Sequence, residues 1–196
     1  MNILDNPAQL VNLQRYPIDT LGSASGIAFA KQCKRDYERT GLCILPSFIQ
    51  ADALETLVTE ANKASKHAYF CKNTHNAYLS DMGSTAAEGS IERRHEQTFV
   101  GSVPYDRIEG NSLLKALYLW DPLKDFIGQV LGKTSLYRFA DPLGACSINV
   151  FADGGEHGWH FDESEFTVTL MLQPPSIGGS FEYAPFVRNR PDDWNS

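Results

Sequence analysis

The chain has 196 residues, 42% of them hydrophobic and 21% charged, which suits one folded domain with a substantial core and excludes a disordered or fibrous chain. A formal charge of −7 leaves no broad basic field for a phosphate backbone, so the expected partner is a small molecule and not a nucleic acid. Nowhere do about 18 apolar residues run together, and the opening MNILDNPAQL has no basic stretch leading into an apolar one, so a cytoplasmic protein with no membrane partner is expected.

In chain order, SASGIAFAKQCKRDYERTG predicts a helix capped by Ser25 and stopped by Gly41, with Ile27, Ala30 and Tyr37 on one face. A short extended run, LCILPSF, follows. ADALETLVTEANKAS then sets Leu54, Leu57, Val58 and Ala61 at helical spacing, a stripe that belongs to a core. Residues 71–110 mix Gly, Ser, Thr, Asn and charge without sustained period and read as a long loop or an irregular excursion, of a length that is uncommon unless it has a task such as covering a site. NSLLKALYLW and DPLKDFIGQVLG read as two helices or one broken one, with Asp121 as cap, Pro122 at the first helical position and Gly132 as stop.

From about residue 136 the period changes. ACSINVF, GWHFD, FTVTLML and SFEYAP are short strand-like runs between Gly- and Pro-rich breaks. Helices first and strands after predict an α+β protein, with residues 1–135 a helical support region and residues 136–196 the strand-bearing core. Cys33, Cys43, Cys71 and Cys146 are scattered without a CxxC pair and read as free thiols, with no structural zinc site or compact disulfide framework.

The stretch EHGWHFDESEF carries the chemistry. On a strand, His160 and Asp162 would share a face while Phe161 points the other way, an arrangement that offers one metal ion an imidazole nitrogen and a carboxylate oxygen. The pair alone is weak, since chance gives His-x-Asp in about one chain in three of this make-up, and a solvated surface pair satisfies the same pattern.

The surrounding order of residues adds weight. Asn149 on a strand, glycines 154 and 155, His160 with Asp162, the apolar run 166–172, and Gly178 with Gly179 follow one another, and this order resembles the first half of the double-stranded β-helix, a jelly roll, of iron(II) and 2-oxoglutarate-dependent oxygenases. Upstream, YERTGLCILPSFIQADALETLVTEA is similar to the lead-in helix, strand and helix of that family. Within it, HFDESEFTVTLMLQPP followed by GGSFEY most resembles the free amino-acid halogenases and their hydroxylase relatives.

The resemblance implies a dioxygenase: ferrous iron held by two histidines and a carboxylate, with His160 and Asp162 as two of these ligands, and 2-oxoglutarate and O2 filling the open positions. Halogenases of the group have a small residue where hydroxylases keep the carboxylate; Asp162 therefore implies hydroxylation of an unactivated C–H bond of a small molecule, a free amino acid by resemblance. Asn149 is implied as a 2-oxoglutarate contact, although Phe151 stands where relatives have a tyrosine hydroxyl. His157 matches a histidine near the substrate and Glu163 an acidic position just after the metal pair. On an unbroken strand both would face away from His160, so their use requires irregular backbone at Gly158 and after Asp162. Arg93 and Arg94 resemble the basic position that grips a substrate carboxylate, with Arg94 favoured by position. Nothing is assigned to His67, His75 or His95.

Two features depart from the family pattern. No histidine follows Asp162, and Arg188 and Arg190 lie in FVRNRPDDWNS, which reads as a loop. The second histidine and the arginine for 2-oxoglutarate are thus expected outside these residues, which makes the chain an N-terminal portion of the enzyme, inactive alone and missing the later strands of the barrel. A binding or scaffold protein that keeps the oxygenase fold without its site is the competing reading.

Overall fold

The structure, a computed structural model, describes residues 6–80, 88 and 90–187. By its contacts the chain divides into two compact units, one of residues 1–57, 111–139 and 180–196, the other of residues 58–110 and 140–179.

In the first unit, helix α1 (Ala24–Thr40) starts at Ser23, not Ser25: the Ser23 Oγ accepts the Gly26 N–H at 3.0 Å, and Gly41 closes the helix in the left-handed region at φ 72°. Its buried stripe is Gly26, Ala30 and Cys33, which shares Ala30 with the expected face but turns away from Ile27, which is exposed. The offset follows from Gly26, where an added Cβ would lie 2.2 Å from the Thr20 carbonyl; only a glycine lets the first turn sit so close to that backbone. Helix α2 (Ala51–Ala64), of which residues 51–57 belong to this unit, buries Ala53 and Leu57.

Helices α3 (Leu113–Leu119) and α4 (Asp121–Leu131) are two helices, not one. They break at Trp120, and Arg138 fixes the break: its guanidinium donates to the Tyr118 and Leu119 carbonyls at 2.8 Å each and pairs with Asp121 at 2.9 Å. Asp121 is therefore the first helical residue and a charge partner, and no side chain caps α4. Phe126 of α4 stacks on Phe29 of α1 with ring centres 5.3 Å apart, and Tyr16 packs on Phe29 and Phe48.

The second unit contains the largest difference from expectation. Residues 71–110 are not a long loop throughout. Strands β1 (Tyr69–His75) and β2 (Glu96–Val103) lie in this stretch and pair antiparallel along their whole shared length, from Tyr69 opposite Ser102 to His75 opposite Glu96. The strands thus begin before α3, and helices and strands are not segregated along the chain. β1 hid itself because six of its seven residues are exposed, so it has no apolar alternation to read.

On its other edge β2 pairs with β3 (Ile148–Val150) and β4 (Glu156–His157), both antiparallel. These two are one interrupted strand: Val150 lies opposite Gly101 and Glu156 opposite Phe99, so the five residues 151–155 bulge out against Val100 alone. The α+β class is as expected, and the described strands form one open antiparallel sheet in the order β1-β2-β3, with β4 extending the β3 edge along β2. The runs FTVTLML and SFEYAP are not strands. Extended backbone becomes a strand only where a neighbour takes its N–H and C=O groups, and none is paired with these runs among the described residues. Val168, Met171 and Phe181 there are exposed. Among the described residues no helix is long and apolar enough to cross a membrane.

Candidate metal centre

The site residues lie where β4 runs off the end of β2. His157 pairs with Thr98; two residues on, Trp159 would pair with Glu96, the first residue of β2, and the regular ladder stops. Side chains take over from backbone. The Gly158 N–H donates to Thr98 Oγ1 at 3.3 Å, the Trp159 N–H to Glu96 Oε2 at 3.2 Å, and the Phe161 N–H to the Ala77 carbonyl at 2.7 Å. His160 is held between these anchors.

Below them is a buried chain of hydrogen bonds that the sequence did not disclose. His75, only 3% exposed, has Nδ1 2.7 Å from the Asn76 carbonyl and Nε2 2.8 Å from Thr98 Oγ1. A carbonyl can only accept, so Nδ1 carries a proton; in the neutral ring Nε2 then accepts the Thr98 hydroxyl proton, and the Thr98 oxygen is left to accept from Gly158. Thr98 and Glu96 are buried as well. No simple alternation announces them, because the buried positions of β2 are Glu96 and Thr98 and then, with parity changed, Gly101 and Val103.

Residues 158–162 are irregular backbone, not strand. His160 and Asp162 still converge, but through local hydrogen bonds instead of the strand pleat. His160 Nδ1 donates to the Gly158 carbonyl at 2.7 Å, which aims Nε2 at Asp162 Oδ1, 3.1 Å away. The other carboxylate oxygen, Oδ2, accepts from the Thr167 hydroxyl. Two donors at right angles, each about 2.1 Å from one ion, stand about 3.0 Å apart. The His160–Asp162 pair has that separation, and Nδ1–H bound to a carbonyl leaves the Nε2 lone pair for a metal. Among the described residues no group of three or more His, Cys, Asp or Glu side chains is placed to hold a metal; His160 and Asp162 offer two donors.

The other expected residues are placed variously. The His157 ring stacks on that of His160 with centres 4.0 Å apart, so the break at Gly158 does bring the two histidines together. Asn149 is exposed on β3 opposite Ser102; Ser102 and Thr98 alternate onto one face of β2, so Asn149 and His157 share that face of the sheet. Arg94 faces Glu96, its Nε 2.6 Å from Oε1, and stands one residue removed from the Trp159 anchor. Glu163 is exposed in the bend after Asp162. Arg188 and Arg190 lie outside the described residues.

Electrostatics reinforces the pair. Asp162 raises the His160 pKa by accepting its hydrogen bond, and the same bond, aided by Thr167, holds the Asp162 carboxyl at about 2. Desolvation, followed by the neighbouring His160, lowers the His157 pKa, which keeps that ring neutral near pH 7. The stabilisation from His160 is complete below its unfolded pKa of about 6.5 and is lost as pH rises through the raised folded value; that from Asp162 is complete above about 3.9 and is lost as pH falls toward its folded value. In the metal-free protein the pair therefore contributes most between about pH 4 and 6.5. Thermal unfolding of the protein and of Asp162→Asn should differ most in that window and converge above it. The gap should be small, under about 1 kcal/mol, because Asp162 is nearly half exposed; a gap that grows toward alkaline pH would contradict the assignment.

No curated protein and no solved structure matches the chain. Residues 27–193, which include both bulge glycines, the His160–Asp162 pair and the lead-in helices, match the family described as halogenase D. With most of its length covered by that match, the chain belongs to the halogenase D family.

Proposed function

We propose that the protein is an iron(II) and 2-oxoglutarate-dependent dioxygenase that hydroxylates an unactivated C–H bond of a small molecule, a free amino acid, in the cytoplasm. The observation that carries this reading is the 3.1 Å approach of His160 Nε2 to Asp162 Oδ1 in a chain of the halogenase D family. The open sheet is then the first part of a double-stranded β-helix.

Bound iron and 2-oxoglutarate, with O2, would supply the oxidant that takes hydrogen from carbon. The work of the chain is to hold and to place. His160 offers the Nε2 lone pair, with its ring fixed by the Gly158 carbonyl. Asp162 offers Oδ1, with its carboxylate steadied by Thr167. A carboxylate at residue 162 occupies the position that a halide would need, which favours hydroxylation over halogenation.

Neutral His157, stacked against the metal ligand, is suited to a substrate hydrogen bond. The Arg94 guanidinium and the Glu163 carboxylate complement the two charges of an amino acid, and Asn149, on the His157 face, serves 2-oxoglutarate. Placement of one C–H bond beside the oxidant is the main contribution such groups make to rate.

Anaerobic addition of ferrous iron and 2-oxoglutarate to the enzyme with its second histidine and 2-oxoglutarate arginine present should produce a visible charge-transfer band that is absent in His160→Ala. No band in the unaltered protein, or an equal band in the variant, would remove the proposal's basis.

A further inference from the structure

Glu96 does not touch His160, yet one peptide group joins them. The N–H of the Gly158–Trp159 peptide donates to Glu96 Oε2 at 3.2 Å, and the carbonyl of that same peptide accepts from His160 Nδ1 at 2.7 Å. Carboxylate, peptide and imidazole are thus in series. Glu96 is 9% exposed, so its charge acts through a poorly screened medium. Arg94 Nε, 2.6 Å from Oε1, supplies the counter-charge as a close ion contact that is not aligned as a hydrogen bond.

A peptide that donates to an anion becomes a stronger acceptor at its carbonyl, because hydrogen bonds in a chain polarise one another. Ligating histidines commonly donate their second N–H to a carboxylate or carbonyl, which fixes the tautomer and raises the basicity of the ligating nitrogen. We infer that Glu96 is a positioning residue for His160, acting through the Gly158–Trp159 peptide to hold the Nδ1–H on the Gly158 carbonyl and Nε2 toward Asp162. The consequence for metal binding rests on His160 being a ligand; the relay itself does not.

The site is built to keep this peptide still. An added Cβ at Gly158 would lie 2.6 Å from the Gln97 carbonyl oxygen and 2.9 Å from Glu96 Cβ, so the peptide packs directly against the start of β2. Thr98, backed by buried His75, holds the preceding N–H. Neither contact places charge on the peptide; Glu96 does.

Glu96→Gln separates charge from shape, because glutamine keeps an oxygen that can accept the Trp159 N–H. NMR of the metal-free protein in the imidazolium state should show the Trp159 amide proton and the His160 Nδ1–H proton both moving upfield in Glu96→Gln, with faster solvent exchange of the second. A merely structural role leaves the His160 signal where it was; a shift of the Trp159 amide alone would therefore overturn the relay. If Glu96→Gln does not fold, the unaltered protein still decides: the Gly158 carbonyl carbon should resonate downfield and the Trp159 amide exchange slowly, and a fast-exchanging amide would overturn the inference. Ferrous affinity should fall roughly tenfold or more in Glu96→Gln. Loss of the coupled shifts with an intact iron and 2-oxoglutarate band sinks the relay and spares the proposed function, whereas coupled shifts without a band do the reverse.

Discussion

Gly158→Ala is expected to abolish the charge-transfer band of the iron and 2-oxoglutarate complex while leaving the helices of the first unit folded. The methyl group would meet Gln97 O at 2.6 Å, Gln97 N at 3.0 Å and Glu96 Cβ at 2.9 Å. These are backbone or backbone-adjacent atoms at the head of a paired strand, and none can swing aside as the tip of a long side chain would. Relief must come from β4 lifting off β2, which breaks the Gly158–Thr98 and Trp159–Glu96 hydrogen bonds. The Gly158 carbonyl moves with them, and His160 loses the acceptor that orients its ring. Overpacking of this kind typically costs about 1–3 kcal/mol, a modest loss of stability, whereas a misplacement of about 1 Å at a reacting site can cost about 100-fold in rate. Spectroscopic titration of the variant, with circular dichroism as the control for folding, checks both halves. A variant that gives the full band would show that the ligands do not depend on this close approach.

The second large effect is expected at Asp162. Asp162→Gly removes one of the two donors and the hydrogen-bond partner that raises the His160 pKa, and ferrous affinity should fall by at least about 100-fold, beyond what loss of an outer-sphere partner costs. The change also opens a coordination position of the kind a halide takes. At iron concentrations high enough to restore binding, chloride should shift the band in Asp162→Gly and leave the unaltered protein insensitive. Sulfate at equal ionic strength serves as the control. Chloride sensitivity in the unaltered protein would mean that Asp162 is not a ligand, and the preference for hydroxylation would lose its support.

How far the sequence could be read depended on whether a segment's partner lay nearby in the chain. Helices α1 and α4 ended at Gly41 and Gly132 as expected, because a left-handed glycine stop is a local event. The start of α1 was misjudged between two serines two residues apart, where only the packing of Gly26 against Thr20 decides. β1 escaped because its side chains are almost all exposed, and β2 because its buried positions change parity between Thr98 and Gly101; their pairing is a long-range fact with no regular apolar signature.

His160 and Asp162 were legible as a pair, but for a different reason than their spacing suggested. A strand's period of two would place them on one face. The structure ends the strand at His157 and brings the two side chains together through the Gly158 carbonyl and the Thr167 hydroxyl. The supports that matter most, Glu96, Thr98 and His75, lie 60 or more residues earlier in the chain, joined to the site by hydrogen bonds that no local pattern announces.

Whether His160 and Asp162 together hold iron is decided by an anaerobic crystal structure with ferrous iron, read by its anomalous signal at the iron edge. A single peak is expected about 2.1 Å from both Nε2 of His160 and the nearer carboxylate oxygen of Asp162, with their mutual hydrogen bond gone. A peak elsewhere, or these two side chains still bonded to each other beside iron-saturated solvent, would contradict it.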